Sequence, residues 1–446
     1  MVLMMSGFLY VSWSSPSIPL LTSLDSPIGV ALTKEEASWV VSVLALGMMP
    51  GSVSVNFLLD GIGRKKTMLI GAFLLFVPWI LLIFAQSFIM LLVARIVGGI
   101  GIGISIGVIP LYGGEISEKQ HRGTLCSLPP IGTVLAPILV YSIGPFVSFT
   151  VLAIICAIVP VIFCVTSYFI VESPYYLVKS NQPQAAENVL KYLSGTDNVD
   201  EWFKEIETNV RNDGTSNLKL SDLLFESNYR KSFLIILALK TFQQFSGSAV
   251  IGAYIQTIME ESQTTLSAET SSIIFATIQI PCVIMSSYFV DKFGRRLLLI
   301  ISATGCALSL AGEGMYFYLL ARKDVDLTKV FFVPTLLLTL YYIMMSFGIA
   351  NLPFVAAGEL FSSTSKKLGG TIFAFYGGFL MFTSNKMFNP IVENWGMHVA
   401  FWMFAGVCVL AMLFGLFLLP ETKGKTFEEI QQMLGKKQTL DKHNSG

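Results

Sequence analysis

Asp60-Gly-Ile-Gly-Arg64-Lys65 separates two long apolar runs, and a close copy, Asp291-Lys-Phe-Gly-Arg295-Arg296, separates two more in the second half of the chain. Two further motifs recur in the same order. Glu115 precedes Arg122 by seven residues as Glu359 precedes Lys366, and Glu172-Ser-Pro174 closes the sixth apolar run as Pro420-Glu421-Thr422 closes the twelfth. Three charged motifs repeated in one order indicate a duplicated unit of six helices. Such duplication is typical of secondary transporters, whose substrate site lies between the repeats.

The composition is that of an integral membrane protein. Of the 446 residues, 53% are hydrophobic and only 13% are charged, whereas a soluble domain carries about 25% charged residues. A bilayer core needs roughly 20 apolar residues per helix. Twelve such runs occur, near 1–21, 38–59, 67–85, 88–111, 124–143, 147–170, 231–258, 270–290, 297–320, 330–357, 368–390 and 398–419. The predicted fold is all-α, with twelve transmembrane helices in two six-helix halves.

Lysine and arginine concentrate on one side of this predicted bilayer. They follow the even-numbered runs, at 64–66, 119–122, 292–296 and 366–367, while the joints after odd-numbered runs are poor in them except at 322–329. By the positive-inside rule, both termini face the cytosol. The first run lacks a basic start and a cleavage site, so we interpret it as a span. The predicted organisation is a first half 1–171, a cytosolic helical linker 172–230, a second half 231–419 and a cytosolic tail 420–446.

Short motifs along nearly the whole chain resemble those of the sugar porter family of the major facilitator superfamily. Besides the two repeated loops, they include Pro110-Leu-Tyr-Gly-Gly-Glu115, Gln243-Gln-Phe-Ser-Gly247, Glu359-Leu-Phe361 and Pro420-Glu-Thr-Lys-Gly-Lys-Thr426. The stretches Ala37-Ser-Trp-Val40 and Arg122-Gly-Thr-Leu125 are most similar to arthropod facilitated trehalose transporters. The resemblance implies the major facilitator fold, a sugar as the transported solute, and no cofactor.

The resemblance also implies that charged motifs latch the cytosolic side shut when the substrate site opens outward. It assigns this role to Asp60, Arg64, Arg95, Glu115, Arg122, Glu172, Asp291, Arg295, Glu359, Lys366 and Glu421. Topology alone would explain the basic residues, but not the acids matched to them. An exposed ion pair contributes only about 0–1 kcal/mol, yet several pairs together can shift a near-balanced equilibrium.

Polar side chains inside the spans are the candidates for binding the solute. Amides there are costly unless they face a partner or a wet cavity, and they both donate to and accept from sugar hydroxyls. The resemblance implies a substrate site that contains Gln243, Gln244, Ser248, Tyr254, Gln279 and Phe354. Without the resemblance, hydrogen-bonded links between helices are the alternative role for the glutamines.

Four parts of this site depart from the family pattern. Pro129-Pro130 and Ala249 replace amides, Gly377-Gly378 replaces Asn-Trp, and a stretch ending Pro353-Phe354 replaces one ending Pro-Trp. The pocket is therefore predicted to be less polar and roomier than a usual hexose site, so that a disaccharide or another polyol would fit.

Proton-driven relatives carry an aspartate in the first span, at the position that Ser14 occupies here. No acid occurs before Asp25, and Glu313 in the ninth run is the remaining candidate for a proton carrier. A proton relay needs an intramembrane carboxylate that faces the site. Facilitated diffusion by alternating access is therefore the predicted mechanism. A proton-coupled symporter and a transport-inactive sugar sensor are the alternatives.

An enzyme is disfavoured, because His121, His398 and His443 have no nucleophile–base or metal-binding arrangement around them. The six cysteines form no CxxC, which indicates free thiols rather than a metal site. A net charge of zero gives no reason to expect a nucleic-acid partner. We expect a monomer in the plasma membrane, with a sugar and the lipid bilayer as its partners.

Overall fold

Helices make up most of the described residues in a computed structural model of the protein. The structure describes residues 1–117, 122–213, 227–263, 267–322, 330, 332–361, 363–423, 425 and 429, without the side chains of 122–124, 126–127, 209, 212–213, 227–229, 287–288, 290–291 and 363–367. The chain divides into two compact units, Met1–Asn217 and Leu218–Gly446.

The described part of the first unit contains ten α-helices. They are α1 Val2–Ser12, α2 Ser14–Thr22, α3 Lys34–Ile62, α4 Arg64–Ile83, α5 Phe88–Ile116, α6 Arg122–Ile143, α7 Phe149–Thr166, α8 Pro174–Lys179, α9 Pro183–Ser194 and α10 Asp200–Asp213. The sequence marks several of the starts: Thr33 and Glu36 form a capping box before α3, and Ser87 and Ser148 cap α5 and α7. These side chains satisfy amide groups that have no partner inside the helix.

Eight α-helices form the described part of the second unit. They are α11 Ser227–Phe245, α12 Ser248–Glu261, α13 Ala268–Phe293, α14 Arg295–Arg322, α15 Val333–Phe347, α16 Leu352–Leu360, α17 Ser363–Trp395 and α18 Met397–Phe417. Two pairs are single spans broken in the middle, since Arg230–Glu261 covers α11 and α12 and Val333–Leu360 covers α15 and α16.

Ten segments of the described chain are helical, long and apolar enough to cross a membrane. They correspond to ten of the twelve predicted runs. The first run is broken at Trp13 into α1 and α2, each too short to cross alone. The eleventh run is α17, a helix of 33 residues that includes the polar stretch Thr383-Ser-Asn-Lys386, which lowers its hydropathy.

Glycines allow α3 and α5 to pack with their backbones in contact. A Cβ added at Gly99 would lie 2.2 Å from the Leu44 carbonyl oxygen, and one at Gly103 would lie 2.4 Å from that of Met48. The glycine-rich stretch of α5 thus serves close packing between helices.

Both broken spans of the second unit satisfy the polar backbone at the break. Gly247 separates α11 from α12 at a φ of +93°, a conformation that favours glycine. Between α15 and α16, the Asn351 amide donates to the Ser346 carbonyl (2.9 Å) and to the Ser286 hydroxyl (2.6 Å). Such partners are needed because bare peptide groups are too costly inside a bilayer.

The polar middle of the chain folds into a small helical cluster. Helices α8, α9 and α10 pack around Leu190, Val199 and Ile206, which are buried. Most of the stretch from 174 to 213 lies in these three helices. The remainder of the predicted linker, 214–226, lies outside the described residues.

Candidate transport site and charged clusters

The first charged cluster consists of Arg64, Glu115, Glu172 and Ser173. The Arg64 guanidinium donates to both carboxylate oxygens of Glu115, at 2.6 Å from Nη2 and 2.8 Å from Nε. The Ser173 hydroxyl donates to the same carboxylate at 2.5 Å. The side chains of Arg64 and Glu115 are only 6% and 9% exposed, so this bidentate ion pair is largely shielded from water.

The second charged cluster consists of Arg295, Glu359, Glu421 and Thr422, and repeats the arrangement of the first. The Arg295 guanidinium donates to Glu359 Oε1 at 2.7 and 3.1 Å. The Thr422 hydroxyl donates to the other oxygen of Glu359 at 2.7 Å, as Ser173 does to Glu115. The side chains of Arg295 and Glu359 are 15% and 26% exposed, so this pair is more hydrated than its counterpart.

The second acid of each cluster caps a helix. Glu172 accepts from the backbone N–H groups of Arg64 and Lys65 at the start of α4, and Glu421 accepts from those of Arg295 and Arg296 at the start of α14. A carboxylate at this position satisfies unpaired amides and interacts favourably with the helix dipole. Burial raises the pKa of Glu421, but the backbone N–H bonds from Arg295, Lys423, Arg296 and Thr422 outweigh it, so the pKa is lowered overall.

The glycine of each repeated loop makes this capping possible. Gly63 has a φ of +89°, and a Cβ there would lie 2.6 Å from a Glu172 oxygen. Gly294 has a φ of +84°, and a Cβ there would lie 2.7 Å from a Glu421 oxygen. Both positions therefore require a residue without a side chain.

The other members of the predicted latch are only partly described. Asp60 accepts a hydrogen bond from Lys179 at 2.7 Å, with both side chains more than one-third exposed. Arg122, Asp291 and Lys366 lie in helices, but their side chains are outside the described residues.

The structure corrects the expectation that Arg95 belongs to the first charged cluster. Arg95 lies near the start of α5, and Glu115 lies at its end, 20 residues later, which is about 30 Å along a helix. The buried Arg95 guanidinium donates instead to the carbonyl groups of Val40 and Tyr10 and to the Ser14 hydroxyl, the last at 2.7 Å. The two residues share one helix, and its length keeps them apart.

Gln243, the central residue of the predicted substrate site, joins the broken spans of the second unit. Its amide nitrogen donates to the Ala350 carbonyl at the break between α15 and α16 (2.5 Å). Its amide oxygen accepts from the Lys240 ammonium at 2.7 Å. The Ser248 hydroxyl donates to its backbone carbonyl at 3.0 Å, next to the break at Gly247.

The remaining predicted ligands are spread over four helices. Phe354 is half-exposed on α16 and lies 4.5 Å, centroid to Nζ, from Lys240. The Gln244 carbonyl accepts from Ser384 at 3.4 Å. Tyr254 is buried at a kink in α12, with its ring 5.1 Å from that of Phe388, and Gln279 is partly exposed on α13. The structure thus brings together Gln243, Ser248 and Phe354.

Lys240 is the residue of this site that sequence analysis missed. It is buried, and its ammonium lies beside the adjoining rings of Phe354 and Phe373. The available signal was a lysine three residues before Gln243 within an otherwise apolar run, a spacing that puts both side chains on one face of a helix.

Comparison with known proteins identifies the family. The family model described as "Sugar (and other) transporter" matches residues 5–434. The facilitated trehalose transporter Tret1 of Polypedilum vanderplanki is 29% identical over 438 residues, covering 96% of this chain and 86% of the relative. Tret1 of Bombyx mori is 28% identical over 426 residues, covering 95% and 83%.

Solved structures show the same fold. The xylose transporter XylE from E. coli, in a partially occluded inward-open conformation, superimposes with a TM-score of 0.79 at 21% identity, covering 95% of this chain and 98% of that one. The proton:xylose symporter XylE bound to 6-bromo-6-deoxy-D-glucose has a TM-score of 0.76 at 22% identity, covering 97% and 98%. The predicted family and fold are confirmed, and membership in a family of transporters agrees with the prediction that the chain is not an enzyme. The chain belongs to the sugar (and other) transporter family and is a multi-pass membrane protein of the major facilitator fold.

Proposed function

We propose that this protein carries a sugar across the membrane by facilitated diffusion, with trehalose and hexoses as the first solutes to test. The observation that carries the proposal is the position of Gln243. Its side-chain amide reaches from α11, beside the break at Gly247, to the Ala350 carbonyl at the break of the other span. A sugar hydroxyl that competes for this amide would act on both broken spans at once, which couples binding to movement. The relatives named as facilitated trehalose transporters support the choice of sugar.

The contact between Ser14 and Arg95 favours uniport over proton symport. Ser14 occupies the position where proton-driven relatives carry an aspartate, and its hydroxyl accepts from the Arg95 guanidinium at 2.7 Å. A serine hydroxyl carries no proton that titrates near neutral pH. Arg95 thus donates to a serine at the position where a proton relay would use a carboxylate.

The two charged clusters are the proposed cytosolic latch. Each ties three distant segments of its unit together at a helix start. In this proposal both termini and the helices α8–α10 face the cytosol, as the distribution of lysine and arginine favours. Residues 1–171 and 231–419 form the two moving halves of a monomeric carrier in the plasma membrane, joined by the linker 172–230.

Uptake of labelled trehalose and of labelled glucose into oocytes tests this function. Wild type is compared with Gln243→Ala at mildly acidic and at neutral external pH, with surface expression measured for each. We expect saturable uptake that does not depend on external pH and is lost in Gln243→Ala. Uptake that rises in acid would favour a symporter. Normal surface expression without uptake of either sugar would favour the transport-inactive sensor.

A further inference from the structure

The environment of Lys240 distinguishes it from the lysines at helix ends. Its side chain is 6% exposed. The ammonium nitrogen lies 2.7 Å from Gln243 Oε1, and 4.5 and 4.8 Å from the ring centroids of Phe354 and Phe373. The opposite wall is close, because a Cβ added at Gly377 would lie 2.5 Å from the Lys240 side chain.

No counter-charge accompanies this ammonium in the described part of the chain. Among those residues, the ion pairs within 4.0 Å join other lysines and arginines to carboxylates. An ammonium has three N–H donors, and the Gln243 oxygen accounts for one. Ring faces attract a cation, but they cancel no charge. A buried charge inside a span is costly unless it is paired.

The missing partner is most simply supplied by the solute. Gln243 and Phe354 are both residues of the proposed sugar site, and Lys240 contacts both of them. We propose that Lys240 makes this site selective for acidic sugars that carry one carboxylate, such as a hexuronate, over the neutral sugars of the same shape. The inference rests on the proposed function, because it specifies which sugars that site prefers.

The charge balance favours a carboxylate over a phosphate. One ammonium neutralises one negative charge, whereas a phosphate monoester carries about −1.5 to −2 at neutral pH. The carboxylate would accept from the two free N–H donors of Lys240. Gln243 would remain available to the ring hydroxyls, and the half-exposed ring of Phe354 offers an apolar surface to the C–H face of the sugar.

Glucose and glucuronate are a matched pair of probes, since they differ only in a hydroxymethyl group or a carboxylate at one carbon. In oocytes expressing the wild-type protein, unlabelled glucuronate should inhibit labelled glucose uptake at about tenfold lower concentration than unlabelled glucose does, equivalent to about 1.4 kcal/mol. Glucuronate should also produce an outward current under voltage clamp, because uniport of an anion moves charge, and glucose should produce none.

Lys240→Met, which keeps the length of the side chain and removes its charge, should abolish the preference for glucuronate and the current. Lys240→Arg should retain both in part. Lys204→Met, on the exposed surface of α10, removes the same charge elsewhere and should change neither.

The inference is wrong if wild type takes up glucose but glucuronate inhibits no better than glucose and gives no current, and the proposed function then stands. A preference for glucose 6-phosphate over glucuronate would also overturn it. Failure to take up any of these sugars at normal surface expression would reject both the inference and the proposed function. The wild-type comparison needs no variant, so it holds even if Lys240→Met does not fold.

Discussion

Glu172 caps helix α4 by accepting the backbone N–H of Arg64 at 2.8 Å, across 108 residues of sequence. The Arg64 side chain meanwhile binds Glu115, so one residue joins the end of α5 and the start of α8 to the start of α4. In the second unit, Glu421 and Glu359 hold Arg295 in the same way. The repeated charged motifs therefore form the same arrangement of hydrogen bonds and ion pairs in each of the two units.

The capping geometry predicts that alanine is harmful at Gly63 and Gly294. At φ near +89° and ψ near 177°, and at +84° and 163°, a side chain costs about 1–3 kcal/mol in strain. In addition, the new Cβ would displace the capping carboxylate. We expect Gly63→Ala and Gly294→Ala to lower the melting temperature of the purified protein in detergent.

Gly61→Ala is the matched control, because it lies two residues away at the end of α3 and a Cβ there would meet nothing within 4 Å. It should leave the melting temperature unchanged or raise it slightly, since alanine favours helix. Equal losses at Gly61 and Gly63 would show that the capping geometry is not the cause.

Burial predicts a ranking of three of the ion pairs in the described residues. Removing one partner of a buried pair costs about 3–5 kcal/mol because the other charge is left without compensation, and an exposed pair contributes about 0–1 kcal/mol. The exposure of the side chains rises from Arg64–Glu115 through Arg295–Glu359 to Asp60–Lys179. Neutralising one partner should therefore cost the most stability in the first pair and the least in the last.

Thermal unfolding of Glu115→Gln, Glu359→Gln and Asp60→Asn tests this ranking with near-isosteric neutral variants. The double variant Arg64→Met/Glu115→Gln should be less destabilised than the sum of its single changes, because neither charge is then left alone. A loss for Asp60→Asn as large as that for Glu115→Gln would contradict the burial argument.

The contact between Arg95 and Ser14 predicts that Ser14→Asp introduces dependence on external pH. The new carboxylate would lie beside the buried guanidinium, where it is ionised when Arg95 holds it and can take up a proton when that contact opens. Sugar uptake should then rise in acid relative to wild type. Ser14→Asn, which has the same size and no ionisable group, should remain independent of pH, and a pH-independent Ser14→Asp with normal surface expression would refute this role of the pair.

Much of the fold was predictable because each span carries its own signal. Length and hydropathy locate helices such as α5 and α18 with little help from their neighbours. The breaks were harder to place. Gly247 interrupts one span at a backbone conformation that favours glycine. The interruption before Leu352 is accompanied by a contact of the Asn351 side chain with Ser286 on another helix, which no local pattern reveals.

Site residues that belong to the internal repeat were predictable from the sequence, whereas those outside the repeat were not. Matched acids and bases in two halves led to Arg64, Glu115, Arg295 and Glu359, which the structure pairs. Arg95 was misplaced because a motif gives a position in the sequence but not the end of the helix on which it lies. Lys240 was missed because its burial is created by Phe354 and Phe373, more than a hundred residues away.

The lowered pKa of Glu421 predicts how stability responds to acid. Its ionised form is favoured in the folded protein by backbone N–H bonds from Arg295 and its neighbours, which outweigh the opposing effect of burial. Because the pKa of Glu421 is lower in the folded protein, its ionised carboxylate contributes its full stabilisation at pH values above the ordinary pKa of 4.5. This contribution is lost as the pH falls through the lower pKa of the folded state. The difference in melting temperature between wild type and Glu421→Gln should therefore be constant from neutral pH down to about 4.5 and shrink below it. Glu201→Gln, on the exposed surface of α10, is the control for general acid effects. If the difference in melting temperature between wild type and Glu421→Gln widened in acid, the capping role would be contradicted. Such a result would mean that the folded protein prefers the protonated carboxyl group of Glu421.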